Sequence, residues 1–197
     1  MKINNQMNKL SNTVDRGFAL LITLVVVSVV LAIGLSLLFV TTRQYVLAVM
    51  AIESEKAFQA GQIGMECLRY WRNQPEVVAE FLRDGTYPNP LECAGVSSAV
   101  VESSGTPFSD GHWLYYYLYS FDLSGDRCIQ PAIYIADLRN YTGDEEVLEL
   151  TISGEGLSTI NCAAGTVCTA IFSRGYNRPC DQLDSIYAIQ REITIQF

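Results

Sequence analysis

The feature that most constrains this chain is an uncharged apolar run from Phe18 to Val40, 23 residues interrupted only by Thr23, Ser28, Gly34 and Ser36. As a helix rising about 1.5 Å per residue it reaches roughly 35 Å, enough to cross the hydrocarbon core of a bilayer. A cleavable secretory signal has a shorter apolar core, with a small-residue cleavage site after it. Here the segment before the run is polar and carries Lys2, Lys9 and Arg16 against Asp15. The positive-inside rule keeps that end cytoplasmic and sends the remainder of the chain across the membrane.

The junction Arg16-Gly17-Phe18, where a short basic leader meets a long aliphatic helix, resembles the class III signal of type IV prepilins and of type II secretion pseudopilins. The resemblance covers residues 11 to about 72. It implies that a dedicated prepilin peptidase cuts after Gly17 and methylates the new N-terminal Phe18. The expected divisions are then a leader at 1–17, a long N-terminal helix at 18–73 whose transmembrane half is 18–40, and a globular head at 74–197.

It further implies an α+β, pilin-like fold, with the helix packed on a mostly antiparallel β-sheet. The subunit waits in the inner membrane as a single-pass protein, N-terminus in the cytoplasm and head exported, before joining an extracellular filament. The partners so implied are other pilin or pseudopilin subunits, the inner-membrane assembly platform, and membrane lipid before assembly. Most members of the family have Glu at the fifth mature residue, where this chain has Ile22. A carboxylate in an apolar bundle is costly and is tolerated where it pairs with a neighbour's terminal amine. Ile22 cannot make that pair, which points to a minor or tip-proximal subunit; a lineage that builds filaments without the Glu is the alternative.

No proline precedes Pro75, so Phe18 to Asn73 reads as one helix, bent at most at Gly34, Gly61 or Gly64. Its second half carries Glu53, Glu55, Lys56, Gln59, Gln62 and Glu66 on a wet face. Ala57, Ala60, Gly64, Cys67 and Trp71 form a row of mainly small residues at helical spacing, flanked by Phe58, Met65 and Leu68. Such a row permits close approach, either to the chain's own sheet or to a neighbouring filament helix. The stretch from Ala57 to Glu66 also resembles an Ala-rich segment of minor pilins of the PilX type.

Beyond Pro75 a short helix over Glu76 to Arg83 is expected, followed by a connector broken by Gly85, Pro88, Pro90, Gly95 and Gly105. Strands are expected at Trp113 to Leu123, Ala132 to Leu138, Val147 to Ser153 and Val167 to Arg174. The last strand alternates cleanly, with Ile189, Arg191, Ile193, Ile195 and Phe197 on one face. Ser173 to Asn177 and Cys180 read as a polar loop before it.

Six cysteines, Cys67, Cys93, Cys128, Cys162, Cys168 and Cys180, all follow the apolar run. An even number in an oxidising compartment suggests up to three disulfides, and no Cys-x-x-Cys pair suggests zinc. Fifteen pairings are open.

The formal charge is −8, and because the leader contributes +2 the rest of the chain carries −10. That balance disfavours nucleic-acid binding through phosphates. His112 is the sole histidine and has no nucleophile and carboxylate at a spacing that suggests a triad. Gly154-Glu155-Gly156 lacks the lysine and spacing of a phosphate loop. Asp122-Leu123-Ser124-Gly125-Asp126 and Asp144-Glu145-Glu146 read as polar turns rather than calcium ligands. Tyr115, Tyr116, Tyr117 and Tyr119 read mainly as strand and core, with an adhesive aromatic surface as the alternative. The resemblance thus implies a filament subunit, and the residues themselves point to no enzymatic activity, cofactor or metal. The rival is a signal-anchored surface protein whose Tyr-rich head binds a ligand and does not assemble.

Overall fold

The computed structural model describes residues 4–108, 110–152 and 159–197, with side chains from Phe18 onward. Gly154-Glu155-Gly156, Ser153 at the end of one expected strand and the side chains of residues 1–17 lie outside the described residues. The chain divides into two compact units, residues 1–50 and 51–197.

Helix α1 runs from Asn4 to Arg72. It starts upstream of Phe18 because nothing in residues 4–17 breaks a helix apart from the single Gly17, so the Gly17–Phe18 bond lies within regular helix. In the first unit every large apolar side chain of the 18–40 stretch is exposed, from Phe18 through Ile22 to Val40. No heavy atom lies within 4 Å of where a Cβ on Gly34 would stand. The helix is long and apolar enough to cross a membrane, with a mean hydropathy of 3.0 in its best window.

In the second unit α1 ends at Arg72, and Pro75 opens α2, Pro75–Asp84. Proline suits a first helical turn, where its missing N–H has no partner to lose. Gly85 closes α2 in the left-handed conformation (φ 67°), its N–H donated to the carbonyl of Phe81. Val77 and Phe81 are the buried face of this helix.

The strands are β1 Leu91–Cys93, β2 Val96–Ser98, β3 Val100–Pro107, β4 Trp113–Tyr119, β5 Phe121–Leu123, β6 Arg127–Asp137, β7 Val147–Thr151, β8 Thr159–Ala163, β9 Val167–Tyr176 and β10 Gln190–Gln196. The main sheet has the order β10-β9-β6-β4-β3, with β5 also paired to β6. The pairs β1–β2 and β7–β8 are separate ribbons. Every ladder among the described residues is antiparallel. The fold is therefore α+β, a long N-terminal apolar helix whose later part packs on an antiparallel sheet.

Strand β6 is buried along most of its length because both faces are covered. Ile129, Ile133 and Ile135 join Leu68, Met65, Phe81 and Tyr119 in one core, while Ala132, Tyr134 and Ala136 join Leu150, Ile152, Ile160 and Phe172 in a second, beneath the β7–β8 ribbon. Pro131 sits where the ladder to β4 has stopped at Ala132 and that to β5 has stopped at Ile129. A residue without an amide hydrogen falls in that gap.

Several expectations need correction. The connector after Pro88 contains β1, β2 and β3, whose Ser, Gly and Thr content masks their extended conformation. The Trp113 to Leu123 strand breaks at Ser120 into β4 and β5. Strand β8 was not anticipated. The expected polar loop at Ser173 to Asn177 is instead the end of β9, which continues to Tyr176 with Ser173 and Gly175 buried. Those two residues are small because a helix lies against them.

Candidate functional site: the helix surface and its seat on the head

The first unit presents an apolar, exposed helix surface. Four of its hydroxyls turn back onto their own helix: Thr23 Oγ1 donates to the Leu20 carbonyl and Ser28 Oγ to that of Val25, both at 2.8 Å. Thr41 and Thr42 donate to Leu38 and Phe39 at 2.9 Å. Satisfied internally, these groups remain tolerable in a medium without water. Arg43, the first charge after the run, lies over the Phe39 ring at 4.6 Å. Ile22 presents a branched alkyl group to the surface, with 45% of it exposed.

The seat of α1 is built from the small-residue row. Ala57 and Ala60 are fully buried and Gly64 is buried beside them. A Cβ on Gly64 would stand 2.6 Å from Ile129 Cγ2 and collide with Ser173 Oγ. One on Gly175 would collide with the Ala57 carbonyl and the Gly61 amide. Glycine on both sides lets helix and strand backbones touch. The row continues through Cys67, disulfide-bonded to Cys93, and Trp71, whose Nε1 donates to the Glu92 carbonyl at 3.0 Å. Of the two alternatives, the structure has packing within the chain: Ala57, Ala60 and Gly64 are covered by the chain's own sheet.

Three disulfides brace the head: Cys67–Cys93 joins α1 to β1, Cys128–Cys180 joins β6 to the short 3₁₀ turn Cys180–Gln182, and Cys162–Cys168 joins β8 to β9. Asp122 lies near Cys128 and Cys180 in a cluster with the look of a metal site. The sulfurs are bonded to each other, however, and Asp122 Oδ1 accepts the Cys180 N–H at 2.7 Å, so the group is a structural brace. Ser124 (φ 57°) and Gly125 (φ 73°) form the tight turn between β5 and β6.

Tyr115, Tyr117 and Tyr119 share the face of β4 that packs into the first core, while Tyr116 packs toward the second. The Tyr117 hydroxyl donates to the Gly85 carbonyl at 2.5 Å and that of Tyr119 to the Pro88 carbonyl at 2.7 Å. Burial pushes the phenols of Tyr87 and Tyr119 well above their ordinary range. The row is strand and core, fastening the loop after α2.

His112 is buried at the start of β4, stacked on Phe108 with ring centroids 4.1 Å apart and meeting the edge of Tyr141. Its Nδ1 lies against the Asp110 carboxylate. This packing shapes the turn between β3 and β4, in which the Asp110 carbonyl also accepts from Thr142 N at 2.9 Å.

No family model matches the chain, and no curated protein or solved structure shows significant similarity to it.

Proposed function

We propose that this chain is a structural subunit, minor or tip-proximal, of a type IV pilus or type II secretion pseudopilus. In this reading prepilin peptidase removes residues 1–17 and methylates Phe18. The subunit stays in the inner membrane through Phe18 to Val40 until its helix is bundled with those of other subunits at the assembly platform. Its activity is assembly, without a catalytic step.

The observation that carries the reading is the junction at Gly17–Phe18 followed by a helix whose apolar side chains are exposed all round. A helix of that kind is stable only in lipid or among similar helices. Exchange of one for the other costs little, because lipid tails and packed aliphatic side chains are equally apolar. A head braced by three disulfides suits an exported location. Ile22 suits a position where no partner amine needs a carboxylate.

The test is mechanical shearing of cells that express the chain, followed by immunoblotting of the sheared and membrane fractions. Recovery in the sheared fraction, abolished when Gly17 is replaced by a bulky residue, is the expected result. Retention solely in the membrane, with the same amount for both variants, would favour the signal-anchored surface protein.

A further inference from the structure

The two edges of the main sheet are built differently. Strand β10 closes one edge with Arg191 and Glu192 along its length, and the Phe197 and Thr169 backbones exchange hydrogen bonds at its end. Strand β3 closes the other. It runs for eight residues, Val100 to Pro107, with nearly every residue exposed. It contains no lysine or arginine, its single charge is Glu102, and Ser103-Ser104-Gly105-Thr106 are small and uncharged. Its one proline stands at the far end. Edge strands are ordinarily protected against pairing by basic residues, central prolines or covering loops. From Glu102 to Pro107, β3 keeps an unbroken register with β4. Among the described residues nothing is paired to its outer side.

Beside this edge, on the α2 face of the sheet, lies an open groove of about 900 Å³ lined by Val77, Glu80, Tyr87, Val101, Ser103 and Tyr117. Ser103 and Gly105 stand opposite Tyr117 and Tyr115 on β4. Val101 is 63% exposed at the groove's mouth. A strand laid along β3 would direct every second side chain into this groove. There apolar groups would meet Val77, Val101 and the tyrosine rings with the Glu80 carboxylate beside them, while the alternate side chains would pass Glu102, which lies with Ser104 and Thr106 on the opposite face of β3.

We propose that β3 is a strand-acceptor edge: an extended segment of a partner polypeptide, with alternating apolar side chains and at least one lysine or arginine, adds to the sheet beside it. The recognition combines backbone hydrogen bonds for affinity with groove contacts and the Glu80 and Glu102 charges for selectivity. It is independent of the filament reading, since an anchored surface protein would present the same edge.

The experiment is selection of random nonapeptides displayed on phage against the full-length protein in detergent, followed by hydrogen exchange on the complex with a selected peptide. Enriched sequences are expected to alternate apolar and polar residues and to be rich in Lys and Arg, and binding should slow amide exchange within residues 101–106. Because successive amides of a strand point to opposite sides, one of Ser103→Pro and Ser104→Pro removes an outward amide and the other breaks the ladder to β4. Thermal melting tells which variant keeps the fold, and that variant should bind at least tenfold more weakly. Glu80→Lys with Glu102→Lys should reverse the preference from basic to acidic peptides. The proposal is overturned by no enrichment, by enriched peptides without alternation, by protection elsewhere in the chain, or by unaltered binding to the folded proline variant.

Discussion

Adding one methyl group at three glycines measures how α1 meets the head. At Gly34 nothing lies within 4 Å of the added carbon, so Gly34→Ala adds helix propensity and leaves unfolding of the head unchanged. At Gly64 the carbon would stand 2.6 Å from Ile129 Cγ2, about 1 Å inside an ordinary carbon–carbon contact. Overpacking of that size costs about 1–3 kcal/mol, and the helix propensity of alanine returns about 1 kcal/mol, leaving a net loss of about 1 kcal/mol. The obstacles at Gly64 include side-chain ends that can rotate. At Gly175 they are the backbones of Ala57, Ala60 and Gly61, which can yield only if α1 lifts off β9, and no helix propensity offsets the strain. Gly175→Ala should therefore cost about 3 kcal/mol, at the upper end of overpacking penalties. Urea unfolding of the detergent-solubilised protein, followed by Trp71 and Trp113 fluorescence, gives the three values. A Gly175→Ala midpoint within error of wild type, or Gly64→Ala and Gly175→Ala as silent as Gly34→Ala, would refute the close seat.

Three other perturbations follow from the same geometry. Chain-entropy arguments scale with loop length, so replacing Cys128–Cys180, separated by 52 residues, should destabilise most, at about 4 kcal/mol. Loss of Cys67–Cys93 should cost about 3.5 kcal/mol and loss of Cys162–Cys168 about 2 kcal/mol, an order that denaturant titration of the three paired Cys→Ala variants would check. Asp137 accepts from Arg139 Nη2 at 2.7 Å and Nε at 2.9 Å, and those bonds hold its carboxyl below the usual range. A depressed folded value means stability that is present above the ordinary carboxylate pKa and is lost as the pH falls through the folded one. Asp137→Asn should be about 1–2 kcal/mol less stable at pH 7, and the gap should close below about pH 4 when urea midpoints are compared. Val29→Arg places a guanidinium at the middle of the apolar run, where insertion costs about 2.5–3.5 kcal/mol more. Alkaline extraction of membranes should release a larger share of that variant than of wild type.

The long helix was legible because its signal is redundant: an apolar run of 23 residues, no proline and a wet face that begins only after Arg43. The strands with strong alternation, β7 and β10, were legible for the same reason. Strand β3 was not, because an edge strand open on both faces needs no alternation, and Ser, Gly and Thr are also the residues of loops. The end of β9 was misread for a related cause, since Ser173 and Gly175 are small in order to admit α1, and small polar residues look like a turn when the helix above them is unseen. The row Ala57, Ala60 and Gly64 was visible, yet its partner depended on Gly175, more than a hundred residues away. Disulfide pairing was equally non-local: only Cys162 and Cys168 are near in sequence, and the other two bridges join elements that the topology brings together.

The account stands most directly on the mass of the N-terminal peptide of the protein purified from its own cells. A peptide that begins at Phe18 and carries one added methyl group is the predicted result. A chain that still begins at Met1, or that has lost the apolar run altogether, would contradict it.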